Sequence, residues 1–573
     1  MGTVSFEIKS KDLAGRIGQV ELNGKIVETP ALMPVFNPQS SLITVDELSE
    51  LFDCKVLMAN SYMLLKNEEL KEKILDEGIH KLFGFGGLIA TDSGSYQLMN
   101  YGMVEATNRE VIEFQEKIGS DIGSFLDIPT LPDAFKPRAK AQVDETLKRS
   151  VEAEDAKFLV NAGIQGGKYL DLRAECAKSI GERFPLVAVG GIVPLMESYR
   201  FAELVDVIAT VKQNIPTDRI VHAFGLGHPM LFALAVALGC DFFDSASYAL
   251  FAKAGRYMTV EGTKKIDELD YISCTCPVCV EHGIRLKKLY GEDKTRALAL
   301  HNLYVCFSEI EAVKQSIRDG RLWEHVALRC RSHPEMMRAL TALTKHSDWI
   351  ATLDAVTKNS AIYYTGFETA LRPEVVNAKK RLERIEGGMR IPLKPYGEVP
   401  PGLLEFYPFG QTLHPENTSE YTFKETALEK LRMMADYQFG KGAGALIPDN
   451  AIVKKSRNTG RMRWVYVNKE MFLTIRASDH FLLPKEGYMK LLHENFKYPR
   501  LRVVLEDDGE VLACVKEGKS VFAKFVKEVD PELKAGDECL IVDHLDNLIR
   551  GGTLHMSPKE IKDFTKGMAV RVR

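Results

Sequence analysis

The sequence predicts an α/β protein built on a (β/α)8, or TIM, barrel, followed by small α+β domains and a C-terminal β-barrel. Three observations predict it. Eight short apolar runs rich in Val, Ile, Leu and Phe recur between residues 31 and 244. Longer segments with helical spacing lie between them, among them 108–119, 139–156 and 169–184. The last third of the chain changes to proline-rich and then strand-like composition. The runs are 31–36, 56–60, 87–92, 122–127, 158–165, 185–192, 219–225 and 241–244. Each is short enough for a buried strand, and alternation of strand and helix through eight strands closes a barrel.

In such a barrel the side chains at the strand C-termini surround one pocket. Three runs end in aspartate: Asp92, Asp127 and Asp244. A fourth ends in Gln165 and a fifth in Gly190-Gly191. The barrel is expected to run from about Ala31 to Ala254. Ahead of it, residues 4–26 read as an amphipathic hairpin, with Phe6, Ile8, Val20 and Leu22 alternating around Gly15 and Gly18.

The 573 residues exceed what one core usually organises, so several domains are expected. The 45% hydrophobic content is that of an ordinary globular chain. No apolar run is long enough to cross a bilayer, so no membrane partner is expected. Residues 1–9 carry no apolar core behind a basic stretch, so a cytoplasmic protein without a secretory signal is expected. A net charge of −4 means that any nucleic-acid contact must come from local clusters.

The expected domains are 1–348, the barrel with a metal knot; 349–425; 426–496; and 497–573. After the barrel, helix is expected over 294–315 and onward to about Trp349. The six prolines of 391–415 predict a loop-rich region, and 428–435 predicts a helix. Strands are expected at 464–467 and 472–475. Four more, at 501–505, 509–514, 522–526 and 538–542, predict the terminal β-barrel.

The chemistry lies first in the carboxylates. In the stretch 91–97, TDSGSYQ, Asp92 ends a strand, Ser93 to Ser95 turn tightly, and Tyr96 offers a flat stacking face. Asp127 precedes Ile128-Pro129, so the chain there is extended. Aspartates beside an aromatic suit a planar heterocycle with N–H donors, such as a purine edge, and Gln165 with the backbone of Gly190 and Gly191 would complete that recognition. Paired carboxylates at one sugar centre permit covalent glycosyl chemistry. Asp244 is assigned as nucleophile and Asp92 as the proton-transfer group. An aspartate at a strand end is also a common helix cap, but three on one barrel face favour a site.

Three of the ten cysteines crowd into 274–279, CTCPVC, which points to a metal in a reducing compartment. Cys274, Cys276 and Cys279 with one histidine would make a closed Cys3His zinc site, structural because no position is left for water. His301 is the preferred fourth ligand, and His282 and Cys306 are also available. Lys454, Lys455, Arg457, Arg461 and Arg463 flank Asn458-Thr459-Gly460 in a basic, hairpin-like block suited to phosphates. A solvated charged face is the plainer reading of such a run.

Taken together, the segments TDSGSYQL at 91–98, FLDIP at 125–129, GIQGG at 163–167, AVGGIVPL at 188–195, DSASYALFA at 244–252, CTCPVC at 274–279 and HNLY at 301–304 resemble the tRNA-guanine transglycosylase family, in its archaeal form. The resemblance spans essentially the whole chain. LKAGDECLIVD at 533–543 and KGMAVRVR at 566–573 resemble a PUA domain, a small RNA-binding β-barrel. The resemblance implies exchange of guanine 15 in the tRNA D-arm for 7-cyano-7-deazaguanine (preQ0), in archaeosine biosynthesis, through a covalent enzyme–tRNA intermediate. It implies Asp244 as nucleophile and Asp92 as base contact and proton-transfer group. It implies Tyr96 as the stacking aromatic, with Asp127, Gln165, Gly190, Gly191 and Val193 around the base. It also implies Cys274, Cys276, Cys279 and His301 as ligands of one structural Zn2+ per subunit, tRNA contact by 426–496 and by the PUA domain, and a homodimer. Two other readings compete: a sugar-hydrolysing barrel, which needs no RNA-binding tail, and a non-catalytic RNA-binding subunit, which needs no intact set of aspartates.

Overall fold

The computed structural model describes residues 4–95, 106–417 and 421–573. The chain divides into two compact units, residues 1–318 with 322–343, and residues 319–321 with 344–573.

The first unit opens with three antiparallel strands, β1 (Ser5–Asp12), β2 (Gly15–Leu22) and β3 (Lys25–Thr29). The sequence reading expected a two-stranded hairpin. The third strand arises at Asn23-Gly24, where both residues adopt positive φ (53° and 76°). That is the conformation a two-residue hairpin turn needs, and Asn-Gly is its commonest sequence.

The barrel strands follow: β4 (Ala31–Pro34), β5 (Val56–Asn60), β6 (Leu88–Asp92), β7 (Ile122–Gly123), β8 (Leu159–Ile164), β9 (Leu186–Val189), β10 (Ile220–Ala223) and β11 (Phe242–Ser245). They form one parallel sheet in the order β4-β11-β10-β9-β8-β7-β6-β5. A parallel bridge between Val35 and Met58 joins its two ends, and the Phe36 amide donates to the Met58 carbonyl at 2.8 Å. All eight predicted runs are therefore barrel strands. Helices at Asn108–Ile118, Lys136–Val151 and Leu170–Arg183 occupy the predicted helical segments.

One strand differs from expectation. β7 stops at Gly123, so Asp127 does not end a strand; it lies on irregular backbone beyond one. Side chains from the flanking helices replace the missing ladder. Gln115 accepts from the Ser124 amide at 2.9 Å and donates to the Ser124 carbonyl at 2.8 Å. Asn108 Oδ1 accepts from the Leu126 amide, and Thr146 Oγ1 from that of Ile128. These buried polar side chains satisfy backbone groups that would otherwise be orphaned.

Arg16 on β2 ties the N-terminal sheet to the barrel. Its guanidinium meets Asp241 in two bonds of 2.9 and 2.8 Å and also reaches the carbonyls of Thr217 and Arg219. Asp241 accepts further from the Val221 amide at 2.8 Å. Both members of the pair are buried.

In the second unit, helix Pro373–Leu382 precedes a hairpin of Ile391–Leu393 and Gly397–Val399. Helix Ala427–Phe439 leads to a four-stranded antiparallel sheet: Ile452–Lys455, Met462–Val467, Glu470–Ile475 and Leu482–Pro484. The terminal module is a six-stranded sheet, in the order Val521–Phe522, Met568–Val572, Leu548–Leu554, Glu538–Val542, Arg502–Leu505, Val526–Val529. Residues 509–514, expected as a strand, belong instead to helix Gly509–Lys516. The Asp508 carboxylate starts that helix by accepting from the amides of Glu510 and Val511, a cap that overrides the apolar run behind it.

Arg16→Met would strand Asp241 in the interior without its cation. Loss of one partner of a buried ion pair costs about 3–5 kcal/mol. The variant is expected to unfold at clearly lower denaturant concentration, with the barrel residues near the pocket unaltered, as read by chemical denaturation.

Candidate active site

The C-terminal ends of the barrel strands open on a cavity of about 990 Å3. Asp92, Asp127, Gln165, Gly190, Gly191, Val193 and Asp244 all line it. The predicted pocket residues are thus brought together, apart from Tyr96, which lies outside the described residues.

Asp92 is the last residue of β6, paired in register with Asn60 at the end of β5. Asn60 Nδ2 donates to Asp92 Oδ2 at 2.9 Å, and the Gly94 amide donates to Oδ1 at 3.2 Å. Desolvation, reinforced by the negative charge of Asp244, pushes the Asp92 carboxyl up to about 7 despite these donors.

Asp244, on β11, has different surroundings. Its Oδ1 accepts from His222 Nε2 at 2.9 Å and from the Gly225 amide. Both hydrogen bonds fall on that one oxygen. His222 is fully buried, and its other ring nitrogen, Nδ1, lies 3.0 Å from Asn161 Nδ2. The Phe224 ring packs against the imidazole, with centroids 4.8 Å apart.

Gln165 joins the remaining parts. Its Nε2 donates to Asp127 Oδ2 at 2.6 Å, and its Oε1 accepts from the Thr130 amide at 3.0 Å. Burial raises the Asp127 carboxyl, against hydrogen bonds from Ser95 and Gln165 that lower it. Gly190 is required because a Cβ there would lie 2.3 Å from Gln165 Nε2. Gly191 has a φ of +66°, which favours glycine on backbone grounds as well. Under this loop, the buried Arg173 guanidinium donates to the carbonyls of Ile164, Gly167 and Gly190 at 2.7–3.0 Å. It thereby clamps the ends of β8 and β9.

Sequence reasoning missed Asn60, Asn161, His222 and Arg173. The first three carried a signal: each is a polar residue inside or closing an apolar strand run. Arg173 carried none, since an arginine on a helix is ordinary until its burial is known.

The cysteine knot is assembled as expected. The ligand atoms of Cys274, Cys276, Cys279 and His301 all lie within 4.8 Å of one another and could hold a metal ion. His301 Nδ1 is 3.5 Å from the Cys276 sulfur and 3.3 Å from that of Cys279. These match the edge of a tetrahedron with metal–sulfur and metal–nitrogen bonds of about 2.3 and 2.0 Å. His301 Nε2 faces the Met258 carbonyl at 2.9 Å, so it carries the ring hydrogen and leaves Nδ1 free for a metal. Tyr257 stacks on the imidazole at 3.6 Å. The alternatives His282 and Cys306 are not part of this group.

In the second unit the basic block is a hairpin, Ile452–Lys455 against Met462–Val467. Lys454, Lys455, Arg457 and Arg461 are exposed, whereas Arg463 is half-buried and reaches the Ile475 carbonyl at 3.4 Å. Lys454 lies over the Tyr466 ring at 4.7 Å.

A parallel barrel whose strand ends present two carboxyl groups in one cavity, one of them pushed up to about 7, beside an amide–carboxyl cluster suited to a flat base, defines a glycosyl-transfer type of site. Residues 11–335 match the family described as "Queuine tRNA-ribosyltransferase". Residues 429–499 match "Patch-forming domain C2 of tRNA-guanine transglycosylase", and 502–573 match "PUA domain". Among similar proteins, the "tRNA-guanine(15) transglycosylase" of Thermococcus onnurineus is 45% identical, covering 99% of this chain and 98% of its own. The protein of the same name from Pyrococcus abyssi is 45% identical over 100% of this chain and 98% of its own. That from Methanococcus maripaludis (strain C7) is 39% identical over 99% of each. The chain belongs to the tRNA-guanine transglycosylase family, and it is a transferase.

Gly190→Ala should push the Gln165 amide off Asp127, because Gln165 is held at both ends. Calorimetric titration with guanine is expected to give affinity lower by at least about tenfold, the worth of one well-made hydrogen bond in a desolvated site.

Proposed function

We propose that the chain exchanges guanine 15 in the D-arm of tRNA for 7-cyano-7-deazaguanine, through a covalent bond between Asp244 and the ribose. The observation that carries this reading is the asymmetry of Asp92 and Asp244 in one cavity. Asp92, raised to about 7, can hold a proton near neutrality, while Asp244 is held by donors on one oxygen. Asp244 attacks C1′ as the bond from C1′ to the purine nitrogen breaks; the electron pair leaves with the base, which takes a proton from Asp92. The incoming base returns that proton to Asp92 and displaces Asp244 from C1′. One glycosidic bond replaces another, so no external energy source is needed.

Asp127, Gln165, Gly190, Gly191 and Val193 hold the base edge. Tyr96 would stack on its face, by resemblance alone. The preference for a cyano-substituted base likewise rests on resemblance. A closed Cys3His set suits one structural Zn2+ per subunit, which would supply folding free energy and no catalytic step. Withdrawing a stacked base costs a few kcal/mol. Backbone contacts by the hairpin at Lys454, Lys455, Arg457, Arg461 and Arg463 and by the PUA module would supply that from outside the pocket. The chain falls into domains 1–348, 349–425, 426–496 and 497–573 and acts as a homodimer in the cytoplasm. No helix among the described residues is long and apolar enough to cross a membrane.

Asp244→Asn is expected to abolish labelled-guanine exchange and the gel-stable enzyme–tRNA adduct, with tRNA binding within a few-fold of the parent. Exchange retained by that variant would remove Asp244 from the reaction. A second expectation follows from Asp92. Above about 7 its carboxyl is ionised and has no proton to give. The single-turnover rate of adduct formation should therefore fall about tenfold per pH unit on the alkaline side of 7, and a rate independent of pH there would rule Asp92 out as the acid.

A further inference from the structure

The chain Asn161–His222–Asp244 runs through the barrel interior beneath the cavity. Asn161 comes from β8, His222 from β10 and Asp244 from β11. His222 is 0% exposed, and Asn161 2%. A buried imidazole between an amide and a carboxylate has few consistent proton arrangements. Nε2 faces Asp244 Oδ1, and a carboxylate oxygen of an attacking nucleophile can only accept, so in that reading Nε2 is the donor. Nδ1 faces the Asn161 side-chain amide at 3.0 Å, which fixes the ring's orientation. Asn161 Oδ1 is buried without a hydrogen-bond partner among the described residues.

The consequence lies at Asp244. The donors His222 Nε2 and the Gly225 amide both aim at Oδ1. No described residue donates to Oδ2.

We propose that His222, held in place by Asn161, is a positioning residue that commits Asp244 to react through Oδ2 and holds Oδ1 as the carbonyl oxygen of the resulting ester. The proposal rests on the reading of Asp244 as the nucleophile. In the forward step Oδ2 bonds to C1′ while the bond from C1′ to the purine nitrogen breaks, the electron pair departs with the base, and Asp92 supplies the proton. His222 neither gains nor loses a proton. In the reverse-direction step the incoming base bonds to C1′, the Oδ2–C1′ bond breaks, and its electron pair returns to the carboxylate. The two donors on Oδ1 then receive the recovered charge. Preorganised donors at an oxygen where charge develops stabilise that transition state. In the attack the pair holds the carboxylate in place, and in the departure it also stabilises the returning charge.

The test uses two variants of similar polarity and size in the full-length protein. His222→Gln places an amide N–H near the position of Nε2 and keeps the donor to Asp244. His222→Asn is too short to reach it. Starting from the isolated adduct, His222→Asn is expected to slow single-turnover release of the ribose to added guanine about 100-fold, the typical effect of losing a donor at an oxygen where charge develops. KM for free guanine, which is held by Asp127 and Gln165 beyond the ends of β7 and β8, should stay within about threefold. His222→Gln should recover to within about tenfold of the parent rate. A merely structural histidine would not separate Gln from Asn in this way. Adduct breakdown by His222→Asn within threefold of the parent, or Gln no faster than Asn, would overturn the proposal. Should His222→Asn fail to fold, Asn161→Ala keeps the imidazole and removes the amide that orients it. Its adduct-breakdown rate should fall about tenfold, and an unchanged rate would overturn the proposal. Failure of the underlying reading is read separately, as exchange persisting in Asp244→Asn.

Discussion

Two carboxyl groups share one cavity, and burial beside the charge of Asp244 makes ionisation of Asp92 costly. That constraint governs the rest of the site. Desolvation and the neighbouring Asp244 raise Asp92, whereas Asp244 has two donors on a single oxygen. Like residues thereby acquire unlike roles through surroundings alone. The barrel exists, from the point of view of the chemistry, to keep these two groups close and their environments different.

The surroundings are built from backbone as much as from side chains. Short parallel strands end around the cavity, and each ending exposes amides and carbonyls that need partners. Arg173 takes three of those carbonyls. Gln115, Asn108 and Thr146 take the backbone beyond β7. Through these backbone contacts they hold the segments that carry Gln165 and Asp127 where they are. Interior polar groups of this kind are tolerable only when paired, which makes the layout stiff. At the other end of the barrel, Arg16 and Asp241 do the same for the N-terminal sheet.

The metal knot illustrates how a local motif and a distant residue divide the work. Three cysteines within six residues are a nearly self-sufficient signal. The fourth ligand was ambiguous among His301, His282 and Cys306 from spacing, because a helix more than twenty residues on must pack against the knot before any one of them is in reach. His301 is the one whose second nitrogen finds a carbonyl, that of Met258, and whose first is left facing the thiols.

Local pattern alone was enough for the eight barrel strands, the helices between them, the aspartates Asp92 and Asp244 at or beside strand ends, and the cysteine cluster, because periodicity and apolar run length are properties of neighbouring residues. Local pattern failed wherever a side chain from elsewhere displaced the ladder or began a helix. β7 is short because Gln115 occupies its continuation, and 509–516 is helical because Asp508 caps it. The inward direction of Asn161 and His222, the burial of Arg173 and the choice of Oδ1 over Oδ2 belong to the tertiary structure. Each depends on which strands become neighbours when the barrel closes, and hydrogen bonds between residues tens of positions apart are decided only by that closure.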